Sequence, residues 1–379
     1  MPWQPQAVMD IKQEFVALAS QAGANRRELC RRFGISPTTG YALLKRHGEE
    51  GLPALRERSR RPHTSPGHTD AVLEQHVLDV RSEQPTWGAR KIARRLSDLG
   101  LHGVPSPSTV TAILHRHGCI SEAASTAAQH WQRFQHEQPN ALWQMDFKGD
   151  FMTAQGRCHP LTLIDDHSRY SLAVQACADV RAETVQPHLR EVFQRYGLPA
   201  RINTDNGAPW GAPRQPRSLS ALAIWLIRLG IRISHSAPYH PQTNGKIERL
   251  HRTLKRDVLS RHSCTDLLDA QQAFDKWRLN YNQVRPHDSL ALDAPAQHYR
   301  VSARAYPSVL APIEYPVGDL VLTVGWDGQA RLRQHKFRVS SSLLKLPIAA
   351  RPDPLHDGCF DLFFCHHRFG RIDLRELAS

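Results

Sequence analysis

Residues 236–259, SAPYHPQTNGKIERLHRTLKRDVL, decide how the rest of the chain is read. Asn244 and Gly245 read as a turn and helix start, and Ile247, Leu250, Leu254 and Val258 then recur at helical spacing, which predicts one amphipathic helix with a buried stripe. Glu248, Arg252 and Lys255 fall on a neighbouring face. That puts a carboxylate at the mouth of the helix, with cations about one and two turns further on. Taken alone, such a glutamate is an ordinary partner for the helix dipole. Two carboxylates upstream change that reading.

With 379 residues the chain is long enough for two to four domains and a sizeable core without disulfide support. Its net charge of +13 and pI near 9.7 point to a polyanion, of which nucleic acid is the commonest. The charge is concentrated: residues 26–61 hold ten Lys/Arg against four Glu, an excess of six. The seven cysteines are odd in number and lack CxxC pairs, so they read as reduced, mostly buried thiols. Neither a secretory h-region nor a long apolar run is present, which points to a cytoplasmic protein with no membrane role.

In chain order, residues 10–22 predict a helix. Asn25 caps a second helix that ends at Gly34, and Ser36 and Pro37 open a third. RRELCRRFGISPTTGYALLKR thus has the helix-turn-helix pattern, with Thr38, Thr39, Tyr41, Lys45 and Arg46 as the DNA-facing set of its second helix. An ordinary helical hairpin is the plainer alternative. After a basic, Pro-containing linker, helices over 70–83, 88–99 and 106–117 repeat the layout, with Ser108 and Thr109 near the start of the last. His115, His117 and Cys119 form half of a metal set with no matching second half. The order expected next is strand ALWQMDF, strands HPLTLIDD and RYSLAVQA joined at His167 and Ser168, a helix ending at Gly197, and strand PARINT, which delivers Asp205. A helix over 219–229 and a strand over 231–234 follow. This pattern predicts a mixed α/β sheet covered by helices.

Asp146 lies at the end of the first strand, Asp205 follows a later one, and Glu248 opens the helix. Three carboxylates at one end of a sheet offer the oxygen ligands that hard divalent cations need. The strings WQMDFKG, LIDDHSRY, TDNG, YHPQTNGKIERLHRTLK and YNQVRPHDSL, in this order, resemble the DDE integrase core of bacterial insertion-sequence transposases, relatives of retroviral integrases with an RNase H-like fold. The resemblance implies that Asp146, Asp205 and Glu248 form the catalytic and metal-binding triad. It also makes Lys255 a DNA contact, with Arg252 beside it, and Asn206, Gly207, Asn244 and Gly245 active-site loop positions. One departure stands out: Asp205 and Glu248 enclose 42 residues, more than the family's usual spacing, with the surplus around residues 211–218. A loop insertion of that kind leaves the sheet intact. Asp165 and Asp166 are competing acids that read as structural members of a hairpin turn. Tyr239, His240 and Gln242 precede the active helix, and Arg285, Pro286 and His287 read as packing back on the core.

Beyond residue 312 the pattern turns to short β segments, predicting a small barrel or sandwich with Arg331, Arg333, His335 and Lys336 along a basic edge. Cys359, Cys365, His366 and His367 sit in an apolar alternation and read as a strand and turn rather than a zinc site. The expected organisation is therefore all-α helix-turn-helix modules over 1–62 and 63–122, an α/β RNase H-like catalytic core over 136–300, and a small all-β domain, a β-barrel, over 312–379. Function follows from the resemblance: a bacterial DNA transposase that binds element ends, cuts them and joins them to target DNA. Two Mg²⁺ ions, replaceable by Mn²⁺, are the implied cofactors. Terminal inverted repeats, target DNA and a homo-oligomer, dimer or tetramer, are the implied partners. A nuclease without strand transfer, and a domesticated DNA-binding protein, are the alternatives.

Overall fold

The computed structural model describes residues 5–56, 69–120, 135–211, 219–235 and 245–376. The chain divides into two compact units, 1–68 and 69–379. In the first, α1 (Pro5–Ala19), α2 (Arg26–Arg32) and α3 (Pro37–Glu50) enclose a core of Phe15, Val16, Cys30, Leu43 and Leu55. The Asn25 side chain accepts from the Glu28 N–H, and the Ser36 hydroxyl from the Thr39 N–H. The two helix starts therefore lie where short polar residues can satisfy orphan donors, as the sequence predicts.

The second unit opens with α4 (Ala71–Glu83), α5 (Ala89–Asp98) and α6 (Pro107–Arg116), packed around Trp87, Ile92, Leu96, Val110 and Ile113. Then come β1 (Trp143–Phe147), β2 (Phe151–Thr153), β3 (Gly156–Asp165) and β4 (Ser171–Cys177), followed by α7 (Ala182–Tyr196) and β5 (Arg201–Thr204). The series ends with α8 (Ala221–Arg228), β6 (Arg232–His235), α9 (Gly245–Leu254) and α10 (Leu267–Gln283). Sheet order is β2-β3-β1-β5-β6, with β4 also on β3. Strand β3 runs antiparallel to β1, β2 and β4, whereas β1, β5 and β6 are mutually parallel. The early strands are close enough in sequence for hairpins, while the later ones need helical crossovers. Strand β2, three residues long, is one more than the sequence pattern suggested, because it is too short to show an alternation.

Alternation along β1 and β3 sends side chains into two different cores. Trp143, Met145, Leu161 and Leu163 pack with Leu189 and Phe193 of α7 and Leu222 and Leu226 of α8. On the opposite face Cys158, Ile164 and Val174 meet Ile247, Leu250 and Leu254 of α9 and Phe274 and Trp277 of α10. The result is a sheet between two helical layers, and Gln144 and Asp146 face the α9 layer.

The regular helix expected through residue 259 stops earlier. Residues Lys255–Leu259 form a π-turn, in which the Ser260 N–H reaches back to the Lys255 carbonyl at 2.8 Å. Past residue 312, β7 (Leu320–Thr323), β10 (Pro347–Pro352), β11 (Cys359–Phe364) and β12 (His367–Asp373) form one four-stranded sheet, and β8 (Gln329–Leu332) pairs with β9 (His335–Arg338) in a separate hairpin. Two sheets over one apolar core take the place of a closed barrel. The run ARLRQHKFRV is a hairpin rather than one strand, with Arg333 at its turn at φ 55°. Helix α8 is apolar around most of its circumference and serves two cores: Leu222 and Leu226 face the central sheet, Ile224 and Ile227 the C-terminal β core.

Gly197 ends α7 at φ 72°, and a Cβ there would sit 2.7 Å from the Arg304 carbonyl oxygen and 2.8 Å from that of Ser302. Leu198 N–H also donates to the Arg304 carbonyl at 2.7 Å, so the neighbouring segment cannot retreat cheaply. Gly197→Ala is therefore expected to destabilise the second unit by about 2–4 kcal/mol, combining left-handed strain with overpacking. Denaturant unfolding checks this; an unchanged midpoint would refute the close approach.

Candidate active site

The β1–β5 register pairs Trp143 with Ile202 and Gln144 with Asn203. Continued by two residues, the same register brings Asp146 opposite Asp205, just past the end of β5. Asp146 is half-buried, and its carboxyl is pushed up to about 6, first by burial, then by the charge of Asp205, and less by that of Glu248. The backbone N–H of Phe147 works in the other direction. The three acids thus share one electrostatic environment. Asp205 and Glu248 are exposed, so the group opens to solvent and is accessible to a large ligand.

Each acid is held by its surroundings. The Gly207 N–H donates to Asp205 Oδ1 at 3.1 Å, and a Cβ on Gly207 would come within 3.3 Å of Oδ2. His235 Nδ1 lies 2.9 Å from the Asp205 carbonyl oxygen. Phe147 stacks on Trp210 with ring centroids 5.6 Å apart, bracing the ends of β1 and β5 against each other. Asn206 is exposed beside Asp205, whereas Asn244, Tyr239, His240, Gln242 and the surplus loop residues 212–218 lie outside the described residues.

Glu248 is placed through its helix. The Gln144 side chain, fully buried, accepts from the Ile247 N–H at 3.1 Å and donates to Asp166 Oδ1 at 2.9 Å. Asp166 Oδ2 accepts from the His136 N–H at 2.9 Å and forms an ion pair with Lys246. One level deeper, the Thr162 hydroxyl lies 2.8 Å from the Asp146 carbonyl oxygen and 2.7 Å from Nε2 of buried His251 on α9. Burial, and then the charge of Lys148, hold His251 down to about 4, so the ring is neutral at neutral pH. Both networks join α9 to β1. Gln144 and His251 were not singled out in the sequence, although each sits beside a marked position: Gln144 shares a β1 face with Asp146, and His251 follows Leu250 of the apolar stripe. Asp165 accepts from the backbone N–H groups of Asn140 at 2.7 Å and Ser168 at 2.8 Å, and Asp166 belongs to the Gln144 network. Both acids are committed to structure.

Arg252 and Lys255 are exposed on the Glu248 side of the helix, Lys255 at the start of the π-turn. In the first unit Thr38, Thr39, Tyr41 and Lys45 are exposed on α3 and Arg46 is half-buried. Ser108 is exposed at the start of α6, while half-buried Thr109 shares the Ser106 cap, its Oγ1 at 3.0 Å. His117 is held by Glu74 at 2.6 Å, and Cys365 lies in the turn between β11 and β12, at φ 49°. Among the described residues, the one set of three His, Cys, Asp or Glu side chains whose ligand atoms lie within 4.8 Å of one another is His262, Cys264 and Asp269. The acidic triad is therefore more widely spaced than a preformed cage for a single ion.

The fold and site define an integrase-core protein carrying helix-turn-helix modules. Integrase core domain models match residues 136–241 and 229–295, a helix-turn-helix domain matches 11–63 and a homeodomain-like domain 39–114. The chain therefore carries an integrase core domain and helix-turn-helix domains, and it is similar to proteins of bacterial insertion elements. The 39.2 kDa protein of insertion element IS476 from Xanthomonas euvesicatoria is 30% identical over 159 residues, 42% of this chain and 44% of that protein. The 31.7 kDa protein of IS407 from Burkholderia multivorans is 23% identical over 241 residues, 61% of this chain and 82% of that protein. The chain thus spans less than half of the first relative and most of the second. The solved HTLV-2 integrase catalytic core domain in complex with magnesium is 20% identical, aligned over 44% of this chain and all of that one, with a TM-score of 0.35. No helix among the described residues is long and apolar enough to cross a membrane.

A carboxyl raised from 3.8 to about 6 contributes stability that is present below about 3.8 and is lost as pH rises through 6. Asp205→Asn removes the carboxylate whose charge acts more strongly on Asp146. Without divalent cations it should therefore melt about 2–4 °C higher than the native protein at pH 8, a gain that disappears near pH 4. Calorimetry at the two pH values checks this. A lower melting temperature at pH 8 would mean that the acids are not under mutual repulsion.

Proposed function

We propose that the protein is a DNA transposase which cuts insertion-element ends and joins them to target DNA, with Asp146, Asp205 and Glu248 as its catalytic and metal-binding residues. The observation that carries this reading is the β1–β5 register with the Gln144 link to α9, which directs three carboxylates from three elements to one end of the sheet. The donor set fits hard cations: all three side chains offer carboxylate oxygen, two of them openly to solvent. Mg²⁺ is the expected ion, Mn²⁺ a substitute, and about two such ions per site would neutralise phosphate charge and activate an attacking oxygen. The 42 residues between Asp205 and Glu248 exceed the family's usual spacing, and the surplus would be available for target-DNA contacts.

The protein's own part is to bind, orient and hold charge. Exposed Arg252 and Lys255 contact the backbone of the bound end, and α3 and α6 supply sequence-dependent contacts in the major groove. In the first step a water oxygen bonds to a phosphorus at the element end and the bond to the 3′ oxygen breaks. The water's proton is passed on overall to that oxygen, leaving a 3′-hydroxyl and a 5′-phosphate. In the second, the 3′-hydroxyl oxygen bonds to a target phosphorus and displaces a target 3′ oxygen, which takes up the proton. No protein nucleophile is needed. Joining two ends together calls for two active sites, so the working form is a dimer or tetramer on DNA, and its binding weakens steeply with salt.

A joining assay tests this reading. Labelled DNA from the gene's flanking ends, a plasmid and Mg²⁺ or Mn²⁺ are incubated with native protein or with Asp146→Asn, Asp205→Asn or Glu248→Gln. Covalent transfer into plasmid, reduced at least about a hundredfold in each variant while end binding stays within a few fold, is the expected result. Metal-dependent cutting without joining would leave a nuclease. Binding with neither reaction would leave a DNA-binding protein on an integrase scaffold.

A further inference from the structure

The second helix-turn-helix module does not stand apart from the catalytic core. Val284, directly after α10, packs into the module's own apolar cluster around Trp87, Ile92 and Leu96. Around that contact, Arg90 pairs with Asp288 at 2.8 Å, Lys91 approaches the same carboxylate at 3.9 Å, and Arg94 pairs with Asp293 at 2.9 Å. Arg94 is oriented from its own helix by Asp98 at 2.8 Å. An isolated exposed ion pair contributes little, but here three cations from one face of α5 meet two carboxylates of one loop beside an apolar plug.

The receiving loop is built to hold its shape. The His287 N–H donates to the Asp293 carbonyl at 3.1 Å, and the Leu290 and Asp293 N–H groups donate within the same turn at 2.9 and 2.8 Å. A second anchor leads towards the active helix. Thr86 Oγ1 donates to Asp257 Oδ1 at 2.8 Å, while Oδ2 of that residue accepts from Trp277 Nε1 at 3.2 Å and Arg285 Nη1 at 3.1 Å. Asp257 lies in the π-turn that continues directly from the helix carrying Glu248. The basic face of α5 is thus largely committed to Asp288 and Asp293. On α6, Ser108, Thr111, Ala112 and His115 stay exposed.

We propose that segment 284–293, together with Asp257, is the dock that fixes the second module on the catalytic core, so that α6 sets which phosphodiester of a bound DNA end reaches the acidic triad. Asp288, Asp293 and Asp257 are then positioning residues, and the module acts as a ruler rather than as a tethered hand. This rests on the transposase reading given above.

The test uses the full chain in native form, with Asp288→Lys and Asp293→Lys together, and with Arg90→Glu and Arg94→Glu added to that pair to restore opposite charges. Hydrogen exchange of α5 and of residues 284–293, without DNA, reports docking. Mapping of cut positions on end DNA at single-nucleotide level reports the ruler, and gel shifts report affinity. Faster exchange is expected in the charge-reversed variant, together with end affinity within about threefold of native and cuts spread over neighbouring phosphodiesters. Cutting at the native position should fall at least about tenfold, because small displacements of a reacting group are costly in rate. The four-fold variant should regain both slow exchange and the single position. An unchanged cut position in a loosened protein overturns the ruler. Unchanged exchange, or charge restoration without recovery, overturns the dock. If native protein does not cut at all, the transposase reading and the ruler fall together, and the exchange arm alone decides the dock.

Discussion

The side chain of Gln144 is the contact on which the site depends. Its carbonyl oxygen takes the Ile247 N–H at the opening of α9, and its amide reaches Asp166 at the hairpin between β3 and β4. A buried primary amide must satisfy both ends or carry a desolvation cost of about 1–3 kcal/mol, and here one end is satisfied by α9 and the other by the β3–β4 hairpin, beside the Lys246–Asp166 ion pair. Because successive residues of β1 alternate faces, fixing Gln144 also fixes Asp146 two positions on. This amide, with the Thr162–His251 contact one level deeper, therefore sets the depth of the helix bearing Glu248 relative to the strand bearing Asp146.

The acids held there are not arranged for stability. Asp146 carries a raised carboxyl because burial and Asp205 both act against its charge, and the fold tolerates this because the surrounding layers are strongly apolar and complete. Trp143, Met145, Leu161 and Leu163 on one face and Ile247, Leu250 and Phe274 on the other are almost wholly excluded from water. Local electrostatic strain at the end of such a sheet is a common mark of a functional site. Gly207 and the Phe147–Trp210 stack keep that strain from relaxing by loop movement.

Much of this was legible in the sequence because it rests on local rules. Asn25 and Ser36 announced helix starts, the alternation in ALWQMDF separated the two faces of β1, and the spacing of Ile247, Leu250, Leu254 and Val258 gave the buried stripe of α9. The parts that were not legible depend on partners far away in the chain. Asp257 looks like one more surface acid on a helix until Thr86, Trp277 and Arg285 are seen to converge on it. Arg285 and His287 read as core packing, which is correct as far as it goes, but their segment also receives the second helical module, and no periodicity encodes that. Strand β2 is too short to be seen, and the β8–β9 turn at Arg333 has no glycine to mark it.

The π-turn at Lys255–Leu259 has a consequence for how the protein can change over generations. A wider turn carries one residue more than a regular helical turn, so it behaves as a one-residue insertion that the fold has absorbed. Removing one residue there would let the backbone run on as a regular helix while Glu248, the stripe before the turn and α10 beyond it keep their seats. What such a deletion would change is the turn itself, where Asp257 faces Thr86, Trp277 and Arg285. The extra residue is thus a local degree of freedom: it aims one carboxylate across the helix without moving the acid two turns upstream.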